Sequence, residues 1–530
     1  RANKNSEEYF LGGRSLGPWV TAMSAEASDM SGWLLMGLPG VAYWAGIPEA
    51  AWTAIGLAAG TYINWLIVSK RLRRYSVKAG NAITLPDYFS NRFHEKSKIV
   101  LTISALFILI FFTVYAASCL ATCGELFSTL FGFDYKVMMI VGAVFVLVYT
   151  LIGGFLAESA SDFMQAIVMI IALTVVVVLG VVKAGGFGAV IDNVREIPGF
   201  LELFGGATPS LKDGAQEVVN GAPVFGAAGN YGFLTVLSTL AWGLGYFGMP
   251  QVLLRFMAIR SEKELTRSRR IATIWVLISL TIAVFIGIIG RSLYPTELLT
   301  QNNSETVFIL LSTKLMPALL AGFVMAGILA AAISSSDSYL LVAASSVSKN
   351  IYQGLINKKA NEKQVMLVSR ITLVAVMLIA IVIALDENSI IFQMVSFAWA
   401  GFGATFGPLM ILSLFWKRTN RAGAVAGMIS GGLMVFFWKL VIRPIGVNLG
   451  GTIGGVLNIY ELLPAFIVSI IFIVVVSLIT KKPSAEIEKE FDGKGYGDFK
   501  KDLVEVTVEA LAPIKARYEE IRHSQELLDV

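Results

Sequence analysis

Residues 24–33 read SAEASDMSGW, from Ser24 to Trp33. They sit inside an apolar stretch long enough to span a bilayer, yet they bring two carboxylates, three hydroxyls and a glycine into it. A charged side chain at the centre of a membrane helix costs at least about 2.5 kcal/mol on the most lenient insertion scale. Asp29 and Glu26 must therefore face protein or a wet cavity rather than lipid. Serine and glycine around them invite an unwound turn with freed carbonyls. Hard oxygen ligands of that kind suit Na⁺, and half-helix ends supply the charge complement for a zwitterion. The competing reading is a structural hydrogen bond from Asp29 to a neighbouring helix.

The surrounding chain fits a membrane setting. Of its 530 residues 56% are hydrophobic and only 15% charged, and the mean hydropathy is +0.71. Apolar stretches recur twelve times, roughly at 17–40, 46–69, 98–130, 136–156, 161–184, 231–258, 270–293, 317–348, 366–386, 389–416, 421–441 and 455–480. Backbone in lipid must satisfy its own hydrogen bonds, and these stretches are too long for barrel strands, so they are helices. The expectation is an all-α polytopic membrane protein, with residues 1–480 forming a transmembrane domain and 481–530 a charged tail.

Lysine and arginine fall on alternate loops. Lys70, Arg71, Arg73, Arg74, Lys78, Arg92, Lys96 and Lys98 lie between the second and third stretches. Arg260, Lys263, Arg267, Arg269 and Arg270 follow the sixth, and Lys417, Arg418 and Arg421 follow the tenth. The long 185–230 segment carries only Arg195 and Lys212. Positive-inside counting puts the basic loops and both ends of the chain in the cytoplasm, and the 185–230 segment outside, where it can cap an approach to the site. Topology accounts for the basic clusters without a nucleic-acid partner, and the partner implied is the cell-membrane bilayer, with no obligatory protein partner evident. The two histidines, His94 and His523, show no transition-metal ligand spacing with the two cysteines. Cys119 and Cys123 stand one helical turn apart, where packing is expected and a disulfide is not. The absence of a GxxxxGK[ST] loop argues against an ATP-driven pump. No enzyme and no cofactor is expected. The tail carries twelve acidic against nine basic residues. Its stretch EVTVEALAPIKARYEEIRHSQELL suits short amphipathic helices on a loosely ordered extension.

A second polar break matches the first. The sixth stretch contains AWGLGYFGMPQ, residues 241–251, with Gly243, Gly245, Gly248 and Pro250 in one run. Five spans separate the starts of the two breaks, as expected for two inverted five-helix halves whose broken helices mark a transport site. The bland reading is that Gly and Pro merely kink and pack these spans. In the eighth stretch, ILAAAISSSDSYLL places Ala331, Ser334 and Ser335 at i, i+3 and i+4, one helix face. Two hydroxyls and a carbonyl on one face make half a cage for a monovalent cation, although serines in membrane helices commonly bond back to their own backbone. Trp242 and Tyr246, at i and i+4, read as walls of a small apolar pocket with one phenolic handle.

The stretches YFLGGRSLGPWVTAMSAEASDMSGWLLMGLPG, TLPDYFSNRF, LIGGFLAESASD, WGLGYFGMPQVLLRFMA and SFAWAGFGATFGPLMILSLFWKRTNRAGAVAGM resemble the solute:sodium symporter family, from residue 9 to about 440. The resemblance implies a LeuT-type inverted-repeat (5+5) core plus extra helices. It also implies thirteen spans, one of them ahead of Arg1. The activity it implies is Na⁺-coupled symport of a small solute by alternating access, with proline or a similar zwitterion foremost. By the same resemblance, Na⁺ is held by carbonyls of Ala27, Met30 and Ala331 and hydroxyls of Ser334 and Ser335, with Asp29 the acid that Na⁺ use requires. Asp162 lies on the ion's release route. Ser31 and Gly32 couple ion to substrate, Tyr115, Trp242, Tyr246 and Pro250 line the substrate pocket, and Arg14 sits at the cytoplasmic gate.

Two acids depart from the family's pattern. Glu26 stands where a small residue is usual, and Asp337 where neutral residues are. They either alter cation choice and admit protons, or stand solvated in an inward cavity; solvation is the expectation. Ser335 in place of threonine keeps the hydroxyl. A sensor that has kept the transporter fold without turnover is the second function class. Retention of both half-sites, and a tail too short for a signalling domain, favour transport.

Overall fold

Where the helices break is set by a few residues. The computed structural model describes residues 6–492, 515–517 and 519. Among them ten helices are long and apolar enough to cross a bilayer. The first and sixth apolar stretches are not in that set, because each is interrupted. The first runs as a helix over Pro18–Gly32, passes through Ser31 at φ 49°, ψ −167°, widens into π turns over Trp33–Gly37 and ends as Leu38–Ala45. The sixth is a helix over Phe233–Leu240, a tight 3-10 segment over Ala241–Gly248, and a second helix over Pro250–Ala258. Pro250 opens that last helix, where its missing N–H costs nothing. The ten continuous spans and the two interrupted stretches are numbered here together, 1 to 12 in chain order.

Short-range chemistry starts several of these helices. Glu95 accepts the N–H groups of Ile99 and Val100 at 2.7 and 3.0 Å and so heads span 3, Ile99–Phe131. Asn361 and Gln364 form a reciprocal capping box, each bond 3.0 Å, ahead of span 9, Glu362–Ala384. Asn420 accepts the Gly423 N–H at 2.8 Å at the start of span 11. Apolar side chains left outside the packed core recur at helical spacing, as with Val141, Val144, Phe145 and Val148 on span 4 and Ile467, Ile471, Val475 and Leu478 on span 12. These are the faces that meet lipid.

Spans 1, 2, 6 and 7 pack on one another, and spans 3, 4, 8 and 9 form a second group. Span 8, Ala318–Ser345, lies directly against both span 3 and the first half of span 1, while span 10, Ile391–Phe415, covers the 3-10 segment of span 6. The first break therefore sits at the seam between the groups, and the second lies between span 2 and span 10. Residues 187–230 add a helix, Phe187–Val194, and three two-stranded antiparallel ribbons, a small β element within an otherwise helical chain. That segment is pinned at the turn between spans 1 and 2, where the Ile47 N–H donates to the Phe200 carbonyl at 2.8 Å.

At the opposite, lysine- and arginine-rich end, the helix Ala485–Asp492 docks on loops between spans. Lys417 Nζ lies 3.0 Å from the Asp492 carboxylate, and His94 Nε2 lies 2.5 Å from Glu490. The expected loose extension is thus held at its start. Its amphipathic stretch and His523 fall almost wholly outside the described residues.

Candidate functional site

The opening stretch builds a cage of oxygens. Ser31 leaves helical geometry within this stretch, one turn after the Ala27 carbonyl. Span 8 supplies the other side. The Ser334 hydroxyl donates to the Ala27 carbonyl at 3.0 Å and approaches the Ala331 carbonyl at 3.2 Å, and the Ser335 hydroxyl reaches the Ala27 carbonyl at 3.3 Å. Four of the five expected cation ligands therefore meet at one point. The Met30 carbonyl, one turn on, accepts the Trp33 N–H. The Ser31 hydroxyl accepts the same N–H at 3.2 Å, which stabilises the break from within. Gly32 is fixed by a close approach: a Cβ there would stand 2.3 Å from the Thr122 Oγ1 of span 3.

Asp29 is buried beside this cage. Gln251 Nε2 reaches its Oδ1 at 3.4 Å, and the Tyr115 hydroxyl donates to its backbone carbonyl at 3.2 Å. Next to it is a nearly filled cavity, with room for no more than about one water; Asp29, Met30, Tyr115, Trp242, Trp33 and Trp399 form most of its wall. Trp242 is surrounded by rings, with Trp33 at 5.4 Å, Phe392 at 5.3 Å and Tyr460 at 5.2 Å between centroids.

The i, i+4 spacing of Trp242 and Tyr246 does not put them on one face. In a 3-10 segment of three residues per turn, residues four apart point about 120° apart. Trp242 faces the cavity, while Tyr246 sits edge-on to Trp399 at 5.0 Å and adjoins Asp29 and Glu26. Pro250, Ser31 and Gly32 shape the two breaks and do not line the cavity in this closed arrangement. The 3-10 winding also explains Gly245, whose added Cβ would meet the Trp399 indole nitrogen at 2.0 Å. That nitrogen donates to the Trp242 carbonyl at 2.8 Å.

Both extra acids are buried, which corrects the expectation that they stand in solvent. Glu26 is 1% exposed and accepts a hydrogen bond from the Trp65 indole at 3.3 Å. Asp337 is 2% exposed and neither of its oxygens makes a geometrically sound hydrogen bond. Asp337 belongs to a cluster the sequence did not disclose. Arg255, fully buried, contacts Glu158 and lies 3.2 Å from Asp162, 3.1 Å from the Ser24 hydroxyl and 3.0 Å from the Ser338 hydroxyl. One guanidinium thus joins spans 1, 5, 6 and 8. Ser24 also donates to Asp162 at 2.8 Å.

Arg14 lies at the basic end. It donates to the Met257 carbonyl at 2.6 Å, the Ala82 carbonyl at 2.7 Å and Asn81 at 3.2 Å, so it ties the start of span 1 to the end of span 6 and the loop after span 2. Burial, with Arg73 nearby, lowers its pKa to about 10, and it stays charged at neutral pH. Among the described residues no group of three or more His, Cys, Asp or Glu side chains is arranged to hold a metal ion.

Comparison with known proteins agrees with this geometry. The sodium/proline symporter of Staphylococcus aureus strain USA300 is 41% identical over 495 residues, 93% of this chain and 91% of that protein. Among solved structures, a Na⁺-coupled sialic acid symporter in a substrate-bound outward-open state superposes with a TM-score of 0.71 at 18% identity, covering 91% of this chain and 94% of the other. A nucleobase-cation-symport-1 family transporter in a closed conformation with bromovinylhydantoin bound superposes with a TM-score of 0.50 at 13% identity, covering 91% and 98%. At these identities the structural likeness speaks to fold, and the expected LeuT-type architecture stands. The sodium:solute symporter family profile matches residues 9–431. With that match spanning both broken helices and the serine pair, the chain belongs to the sodium:solute symporter family.

Proposed function

We propose that this protein is a Na⁺-coupled symporter of L-proline, importing it across the cell membrane by alternating access. The observation that carries the reading is the convergence of the Ser334 and Ser335 hydroxyls on the Ala27 carbonyl at the break in span 1. Turned to offer lone pairs instead of hydrogens, these hydroxyls with the Ala27, Met30 and Ala331 carbonyls are hard oxygen donors of the kind a dehydrated Na⁺ takes. Asp29 supplies the negative charge beside them. A bound cation would hold spans 1 and 8 together and relieve the repulsion between carbonyl dipoles.

Proline fits the remaining chemistry. Its ring suits the aromatic wall of Trp242, and its charged ends suit the half-helix termini at Ser31–Gly32 and Pro250. The 41% identical relative is a sodium/proline symporter, which supports this solute over others. The cavity as it stands is too small for proline, so loading requires the two helix groups to part at the seam. Arg14 on the basic end, taken as cytoplasmic by positive-inside counting, closes the exit, and Asp162 lies on the ion's way to it. Both described termini and residues 481–530 would then be cytoplasmic. The coupling ion is the only inorganic partner required, and no covalent chemistry is proposed.

The test is uptake of radiolabelled proline into proteoliposomes, in sodium and in choline buffers, with a panel of unlabelled competitors. Sodium-dependent, saturable uptake blocked by proline but not by pantothenate, sugars or carboxylates is expected. Inhibition by one of those solutes in preference to proline would reassign the substrate.

A further inference from the structure

Tyr460 lies outside the ten-helix core, immediately before span 12, Leu462–Ile479. Its ring stacks on Trp242 at 5.2 Å with an interplanar angle of 22°. Its hydroxyl donates to the Ser396 carbonyl of span 10 at 2.7 Å. Span 10 also holds the backbone of Trp242, through the Trp399 indole. Trp242 is therefore tied to span 10 at its carbonyl, through Trp399, and at its ring, directly by Phe392 and indirectly through Tyr460.

Tyr460 is itself held firmly. The next residue, Glu461, is fully buried and pairs with Arg443 at 2.9 Å and Lys439 at 4.0 Å, both from span 11. The Trp438 indole donates to the Ile459 carbonyl at 3.2 Å on the other side. The short connection from span 11 to span 12 thus presents one ring, at a set height, to the back of the cavity wall.

We propose that Tyr460 is a positioning and specificity-determining residue of the transport site: it sets the angle of the Trp242 ring, and with it the size of solute ring the pocket admits. This rests on the reading of Trp242 as a wall of the substrate pocket. Trp33 and Phe392 pack on the indole from other sides, and the Tyr460 ring, at the shortest centroid distance and the smallest interplanar angle of the three, closes the remaining one. Removing the stack widens the pocket on that side only, so a six-membered ring gains relative to a five-membered one. The cation cage lies on the far side of Asp29 and does not involve Tyr460.

The experiment measures proline KM, the proline-to-pipecolate selectivity ratio and the apparent Na⁺ affinity in proteoliposomes for wild type, Tyr460→Leu, Tyr460→Phe and Trp242→Phe. Loss of an aromatic stack is expected to raise the proline KM of Tyr460→Leu about three- to tenfold, to shift selectivity toward pipecolate, and to leave Na⁺ affinity unchanged. Tyr460→Phe keeps the stack and loses the Ser396 bond, so its KM should rise about two- to fivefold with selectivity near wild type. That variant carries the test if Tyr460→Leu fails to insert. Wild-type KM and selectivity in both Tyr460 variants, or a fall in maximal rate alone, would overturn the inference; if Trp242→Phe shifts them, the pocket reading still stands. Unchanged values in all three variants would overturn the pocket reading and the inference together.

Discussion

The Ser334 hydroxyl of span 8 lies 3.0 Å from the Ala27 carbonyl of span 1. Residues 307 positions apart in sequence thus share one oxygen cage across the seam between the two helix groups. A cation there contacts both groups at once, which is what coupling an ion to a conformational change requires.

Ser334→Ala and Ser335→Ala should each weaken apparent Na⁺ affinity by about tenfold, the scale of one hydrogen-bond-like contact to a charge. Maximal rate should fall less. Uptake measured against Na⁺ concentration checks this, and a loss confined to maximal rate would place these serines outside the ion site.

Trp242→Ala should raise the proline KM while leaving Na⁺ affinity largely intact, since it removes a wall and no ion ligand. If sodium affinity falls and proline affinity does not, the ion and substrate halves of the site have been assigned the wrong way round.

Gly32→Ala should be poorly tolerated, because its Cβ would stand 2.3 Å from Thr122 Oγ1 and 2.5 Å from Thr122 Cγ2. Overpacking of this kind costs roughly 1–3 kcal/mol. Pairing it with Thr122→Ala removes both of those atoms and should recover part of the thermal stability of the detergent-solubilised protein. No recovery would mean that the backbone conformation at Gly32, rather than the contact, is what matters.

Much of this site was legible in the sequence, and the parts that were not share a cause. Glycine, serine and carboxylates inside apolar runs give away a broken helix because lipid penalises them, so Asp29, Ser31 and the 241–251 run stood out. The face of Ala331, Ser334 and Ser335 followed from helical period. The same periodicity put Tyr246 on the face of Trp242, and nothing local announced that residues 241–248 wind as a 3-10 segment. Glu26 and Asp337 were expected in solvent; burial depends on what packs against a residue, and Trp65 and Arg255 come from other spans than the acids they adjoin. Arg255, inside the sixth stretch, was not singled out at all. Its partners Glu158 and Asp162 lie more than ninety positions away.

Glu305 gives a prediction away from the ion. Its carboxylate accepts the N–H groups of Ile391 and Phe392 at 2.7 and 2.8 Å, heading span 10 at the point where Phe392 meets Trp33 and Trp242. Glu305→Ala leaves two buried donors without this partner and should cost about 1–3 kcal/mol of stability, seen as a lower thermal midpoint. Glu305→Gln, which keeps one acceptor, should lose less. Equal midpoints for all three proteins would remove Glu305 from any role in closing the pocket.

Sodium-driven accumulation of proline by Asp29→Asn and Glu26→Gln proteoliposomes, side by side with wild type at several Na⁺ concentrations and two pH values, tests the ion site at its centre. Asp29 touches the cavity and adjoins the oxygen cage, whereas Glu26 is bonded to Trp65, a bond the glutamine can keep. Asp29→Asn should abolish accumulation or shift its Na⁺ dependence far to the right, and Glu26→Gln should keep it with at most an altered pH profile. Full sodium-driven accumulation in Asp29→Asn together with none in Glu26→Gln would contradict this, and would make Glu26 the ion-linked acid and protons the better candidate for the coupling ion.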